Sequence, residues 1–353
     1  MNNPPNNDND NDNDNADNDA AAPVIAAVAE DGDHDDEEEE EEMFDPAEIE
    51  QICTEAITLL QNRSKLPSRL RDRTMVRFAQ QFITNVKEDI HKMLTDTRLE
   101  EEGYDGLDSE RDTEEEVATA ICCCPDVLSR RDERFGFNPI QCVTFLQNED
   151  YTKKLCNVKA VSFVPLFVQL AIEFNSFSNE ERGGLLIYNS GGNNILHDLV
   201  STSHNSCDEE HQQRVDTTFL AVLIRLRRSG YFLKNDIQHY GLVHKVVQYY
   251  YFPERRFRFL TEWDPSSLLR TNANNFNGLP FHCGAHNSRK FRVVFDAYVR
   301  FYPRWKGINA LFTIDNYGYT PFLVACKFFT RIKVLEVVEE VLVQYTTTNG
   351  LVN

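Results

Sequence analysis

The sequence predicts an all-α fold, a solenoid of helix-turn-helix repeats preceded by N-terminal capping helices and a disordered acidic tail. Three observations lead there. A six-residue phrase recurs five times between residues 136 and 323. The longer segments that follow the phrase are amphipathic at helical spacing. Strand-like alternation is scarce, which leaves room for no more than short turn hairpins between repeats.

Taken in chain order, residues 1–43 come first: an Asn/Asp alternation, a small apolar island from Pro23 to Ala29, and the run Glu37 to Glu42. Such a segment buries too little apolar surface to offset its ordering entropy, so disorder is expected. The ladder Asp8, Asp10, Asp12, Asp14 lacks the glycine and terminal glutamate of a calcium loop, which argues against calcium binding there. Residues 1–50 hold 11 Asp and 9 Glu with no Lys or Arg, against a net charge of -21 for the whole chain. The remainder is therefore nearly neutral, with 37 acidic and 36 basic residues. A near-neutral body argues against a nucleic-acid partner, which needs a net basic face, so none is expected.

Residues 44–99 read as helices. Asp45-Pro46-Ala47-Glu48 supplies a cap, a first-turn proline and an acidic third position for a helix to about Leu60. From Met75 to Leu94, the residues Met75, Ala79, Phe82, Ile83, Val86, Ile90, Met93 and Leu94 form one apolar stripe. This pair either caps the repeats or forms a separate docking unit. Thr113 to Glu116 is a capping box for a helix to Cys124, ended by Pro125.

The phrase itself has six positions: a turn residue, a spacer, a small polar residue, a proline or stand-in, an aliphatic or aromatic, and usually histidine. It reads Gly136 to Gln141, Gly192 to His197, His239 to His244 in degraded form, Asn277 to His282, and Gly318 to Leu323. Gly136, Gly192, Asn277 and Gly318 suit a positive φ. Asn138, Asn194 and Thr320 offer a capping oxygen, and Pro139, Pro280 and Pro321 suit a first helical turn. Each phrase thus writes a short helix start. A longer amphipathic helix follows each: Phe163 to Phe174, Asp216 to Ser229, Glu254 to Trp263, Lys290 to Tyr302, and Arg331 to Val343. Residues 346–353 read as a C-terminal tail.

Gly318-Tyr319-Thr320-Pro321-Phe322-Leu323-Val324-Ala325 resembles the ankyrin signature Gly-x-Thr-Pro-Leu-His-x-Ala. Over residues 100–345 the chain is similar to the divergent ankyrin-like proteins of pennate diatoms. The copies stand 56, 47, 38 and 41 residues apart, against about 33 in a regular ankyrin unit, and the extra length must enter loops or longer helices. Gln141 and Leu323 occupy the histidine position. The resemblance implies an ankyrin-like stack in which His197, His244 and His282 are structural, bonding backbone between neighbouring repeats. It also implies a protein partner.

Catalytic and metal motifs are missing from the sequence. There is no nucleophile elbow, phosphate-cradling loop or His-Glu-x-x-His pair, so the expectation is a protein with no catalytic residues, no cofactor and no metal. His282, Cys283 and His286 cluster without a second ligand pair. Cys122, Cys123 and Cys124 fan around their helix and cannot converge on one metal, so core packing is their expected role. Arg225, Arg227 and Arg228, and Arg255, Arg256 and Arg258, read as solvated faces that can also receive an acidic segment. Nine cysteines, an odd number, and no apolar run of spanning length point to an intracellular protein, cytoplasmic or nuclear, without a membrane partner.

Binding residues are expected at the turn tips, where aromatics flank the phrases: Asp315, Asn316, Tyr317 and Tyr319; Asn274, Asn275 and Phe276; Tyr188 and Asn189. The expected function is a non-catalytic scaffold or adaptor that binds a protein through these tips and a concave face. The alternative is capture of a basic protein, such as a histone, by the acidic tail.

Overall fold

Helix starts are decided by caps and first-turn residues, and the computed structural model shows where each one succeeds. It describes residues 73–98, 104–147, 154–202, 208–272 and 277–348. The chain divides into two units, Met1–Leu66 and Pro67–Asn353, and all described residues belong to the second. The acidic tail, the helix expected near 45–60, and Asn274, Asn275 and Phe276 lie outside them.

The described residues are mostly helical. Helix α1 (Arg73–Thr95) carries the apolar stripe read from Met75 to Leu94 and packs on the first phrase. Helix α2 (Glu114–Cys123) starts at Thr113, whose hydroxyl accepts from the Glu116 amide while the Glu116 carboxylate accepts from the Thr113 amide at 2.8 Å. The five phrases open α3 (Pro139–Cys142), α5 (Ile195–Leu199), α8 (Leu242–Gln248), α10 (Pro280–Gly284) and α13 (Pro321–Phe328). The longer helices are α4 (Val164–Glu173), α6 (Glu209–Arg228), α9 (Glu254–Trp263), α11 (Ser288–Phe301) and α14 (Arg331–Thr348). Each long helix packs on the next, α4 on α6, α6 on α9, α9 on α11 and α11 on α14. Among the short ones, α5 meets α8, α8 meets α10, and α10 meets α13. No helix of the described residues is long and apolar enough to cross a membrane.

One buried layer lies between the two rows. Phe281 of α10 stands against Phe291, Phe295 and Tyr298 of α11, with ring centroids 5.0, 5.9 and 5.3 Å away. These aromatics are fully buried, and burying each is worth about 2 kcal/mol or more relative to exposure.

Several expectations need correction. Helix α6 begins at Glu209, two turns before the expected Asp216, because Asp208 caps it by accepting from the His211 amide at 2.6 Å. Its first turns are polar and carry no apolar period. The only described sheet is a hairpin of β1 (Phe145–Gln147) and β2 (Lys154–Cys156), which follows α3 instead of forming a turn between repeats. His239 is no turn residue; it ends helix α7 (Lys234–His239), and the left-handed residue is Gly241, with φ 60°. Helices α7 and α12 (Trp305–Asn309), with 3₁₀ turns at 265–269 and 310–312, take up much of the extra length between phrases. Helix α14 continues to Thr348, into the stretch expected as a tail.

Burial of charge differs most. Arg256 was expected on a solvated face, yet it is 0% exposed. Its Nε donates to Asp216 Oδ1 at 2.9 Å and its Nη1 to the Leu199 and Ser201 carbonyls at 2.9 and 2.6 Å. Asp216 also accepts from the Arg255 and Arg256 amides at 3.1 and 3.4 Å, so one carboxylate of α6 caps the start of α9. Lys290 of α11 does the converse, donating to the Val247 carbonyl at 3.2 Å and to Tyr249 at the end of α8. Cys122 and Cys123, expected in the core, are exposed, since the buried face of α2 is taken by Val117 and Ile121.

Candidate functional site

The turns of the phrases are built by a side chain whose turn-forming role the sequence reading did not assign. In the turn 189–193, Asn189 N–H donates to the Asn193 carbonyl at 2.8 Å and Gly192 N–H to the Asn189 carbonyl at 3.0 Å. Asn189 Oδ1 accepts from the Gly191 and Asn193 amides, both at 3.0 Å. The turn 315–319 repeats this bond for bond. Asp315 N–H donates to the Tyr319 carbonyl at 2.9 Å, Gly318 N–H to the Asp315 carbonyl at 3.0 Å, and Asp315 Oδ1 accepts from the Tyr317 and Tyr319 amides at 2.9 Å. Asp132 organises the first turn through the amides of Arg134, Phe135 and Phe137. Asn272 N–H donates to the Gly278 carbonyl across the fourth. In three copies, therefore, an Asp or Asn three or four residues before the left-handed position builds the turn, and it was visible in the sequence.

The left-handed position follows in four copies: Gly136, Gly192, Asn277 and Gly318 have φ of 69°, 72°, 53° and 79°. Asn194 and Thr320 then cap by accepting from the amides three residues on, each at 3.2 Å. Asn138 does not, because its Oδ1 meets no donor. Pro139, Pro280 and Pro321 each occupy the first turn of their helix, where a missing N–H costs nothing.

The sixth position makes a bond of one kind in four successive copies. His197 Nδ1 accepts from the Asn194 amide at 3.1 Å and its Nε2–H donates to the Tyr240 carbonyl at 3.0 Å. His282 Nδ1 accepts from the Leu279 amide at 2.9 Å, and its Nε2–H donates to the Thr313 and Tyr319 carbonyls at 3.1 and 3.3 Å. His244 donates to the Gly278 carbonyl at 3.1 Å. Gln141 uses the same two-ended chemistry: Oε1 accepts from the Asn138 amide at 3.0 Å and Nε2 points to the Ile187 carbonyl at 3.5 Å. Glutamine at the histidine position thus preserves an acceptor facing its own helix start and a donor facing the next turn. Leu323, in the fifth copy, is exposed. Burial holds the imidazoles of His197 and His244 below the ordinary value, His244 down to about 4. Both nitrogens of His197 and His282 are occupied by backbone, which leaves neither as a base or ligand.

Beside the last turn lies a groove of about 630 Å³, lined among others by His282, Cys283, Asp315, Tyr319, Leu323 and Phe328. Tyr317 and Tyr319 are 63% and 50% exposed, and Tyr188 is exposed with its ring against Tyr240. Asn316 is exposed and accepts from Asn277 Nδ2 at 3.3 Å, joining the fourth and fifth tips. Asp315 and Asn189 are half-buried, their side-chain oxygens already used by the turn amides. Of the tip residues, the structure brings Asp315 and Tyr319 to the groove; Tyr188 and Asn189 sit at another tip. Leu323 and Phe328 were not among the expected binding residues; Leu323 was noted only as standing at the histidine position. Among the described residues no group of three His, Cys, Asp or Glu is arranged to hold a metal ion. No family model matches this sequence, and neither a curated protein nor a solved structure does.

Proposed function

We propose that this chain is a divergent ankyrin-like repeat stack working as a non-catalytic protein-binding scaffold inside the cell. The observation that carries the reading is the sixth-position bond, made by Gln141, His197, His244 and His282 to the segment of the following copy. A bond recurring at equivalent positions, with short and long helices each packed on their successors, is what a nearest-neighbour stack requires. The partner surface is the last turn and its groove, where Tyr317, Tyr319, Leu323 and Phe328 expose apolar and aromatic area beside the polar Asn316 and Lys327.

The test is capture from cell extract with the full chain, compared with Tyr317→Ala/Tyr319→Ala and with Tyr250→Ala, an exposed tyrosine away from the tips. Partners retained by Tyr250→Ala and lost with the tip variant support the reading. Retention of every partner by the tip variant, or turnover of a substrate by the purified protein, sinks it. A second reading rests on the 20 acidic and no basic residues of positions 1–50, which suit capture of a basic protein such as a histone. Deleting residues 1–43 separates the two. Tail-driven binding disappears and is steeply salt-dependent, whereas tip-driven binding survives.

A further inference from the structure

A second groove, of about 670 Å³, runs along the starts of α6, α9 and α11 and is lined by Arg214, Arg255, Arg258 and Arg289. Its charges run against local helix physics. The amide end of a helix carries partial positive charge, so basic residues in the first turn are disfavoured and acidic ones favoured. Helix α6 obeys this with Glu209 and Glu210. Helix α9 places Arg255, Arg256 and Arg258 at its start beside the single Glu254, and α11 places Arg289 and Lys290 there with no acidic residue in its first turn. Arg256 and Lys290 are turned inward and used by the fold. Arg255 and Arg289 are exposed.

The guanidinium groups of the groove are under-neutralised. Arg214 has no carboxylate partner among the described residues, and Arg255 donates to the Thr217 hydroxyl at 3.1 Å instead of an acid. Glu254 is shared, at 3.0 Å from Arg258 and 3.6 Å from Arg289, and Asp296 lies 3.6 Å from Arg258. Asp216, also in the lining, is consumed by Arg256 and the helix amides. Glu210 remains near Arg214. With Glu210, Glu254 and Asp296 set against four guanidinium groups, a small excess of positive charge faces a concavity large enough for several residues.

We propose that this groove binds an acidic segment of a partner protein in extended conformation. A single phosphate or small anion would call for arginines converging on one point. Here they are spread over three stacked helices, whose axes lie about 8–10 Å apart. An extended chain in the polyproline-II conformation has three residues per turn and advances about 3.1 Å per residue, so carboxylates at every third position share one face and meet one helix after another. Guanidinium forks pair with carboxylates bidentately, and the adjoining helix starts add to the attraction.

The experiment uses the full chain and a fluorescent synthetic peptide with glutamate at every third position, in titrations at 50 and 300 mM salt. Its glutamine counterpart serves as control. Binding of the glutamate peptide is expected to weaken on the order of tenfold or more at the higher salt, and the glutamine peptide is expected not to bind. Arg255→Glu/Arg289→Glu should abolish binding without lowering the thermal midpoint, because the new acids suit the helix starts. Arg255→Gln/Arg289→Gln should weaken it with the same midpoint. Tyr317→Ala/Tyr319→Ala should leave it unchanged, which keeps this groove separable from the turn-tip site. Equal binding of the two peptides, undiminished binding by either arginine variant, or a lowered midpoint in both overturns the proposal, the last because the arginines would then be structural.

Discussion

His244 shows how one buried imidazole ties stability to pH. The Gly278 carbonyl requires a proton on Nε2, and burial disfavours a second proton, holding the pKa near 4. A group that binds protons less readily when folded contributes stability that is complete above its unfolded pKa, near 6.5, and is lost as pH falls toward 4. Urea unfolding should therefore weaken between pH 7 and 4, with up to about 3 kcal/mol traceable to His244. His197, lowered in the same direction, adds to it. His197→Gln/His244→Gln should flatten that part of the profile while keeping the neutral-pH stability within about 1 kcal/mol, since Gln141 already fills the role. His244→Ala should lose about 2 kcal/mol at pH 7 by orphaning a buried carbonyl. Arg256 is the other decisive residue. Arg256→Met leaves Asp216 buried without its charge partner and should cost about 3–5 kcal/mol by denaturant titration, part of which Asp216→Asn in the same chain restores.

At the scale of elements, turns and caps follow from short-range chemistry and were largely legible. Positive φ at Gly192 and Gly318 comes with open space where a Cβ would go, so their glycines answer to backbone conformation alone. Gly318→Ala should cost about 1 kcal/mol and Asn277→Gly should stabilise by a few tenths or more, both read from thermal midpoints. Thr320→Ala removes a cap and should cost about 1 kcal/mol. Helix lengths were less legible. The start of α6 is written in polar residues, Glu209 to Arg214, whose helicity depends on the Asp208 cap and on packing by Val215 and Phe219. The turn-building Asp132, Asn189 and Asp315 were legible in type, but two of them were read as binding residues because exposure cannot be seen in a sequence.

For the described unit taken whole, the distribution of apolar surface is uneven. Most exposed large apolar side chains fall between Trp305 and Val343, including Ile314, Ile332 and Leu335. An apolar area of this kind on helices α13 and α14 should bind a hydrophobic dye, and Ile332→Lys/Leu335→Lys should reduce that fluorescence without lowering the unfolding midpoint. The sequence by itself determined the helical class, the recurring starts, the left-handed turns and the acidic character of residues 1–50. All of these depend on neighbours within about six positions or on composition. Only the tertiary structure decided which of two adjacent arginines is buried, which Asp closes a turn or caps another helix, and which carbonyl each sixth-position side chain reaches. Those partners lie some 30 to 60 residues away in the chain. Local propensity ends at the helix terminus; the pairing of Arg256 with Asp216, or of His244 with Gly278, exists only once stacked helices bring them within hydrogen-bond distance and exclude the water that would otherwise serve.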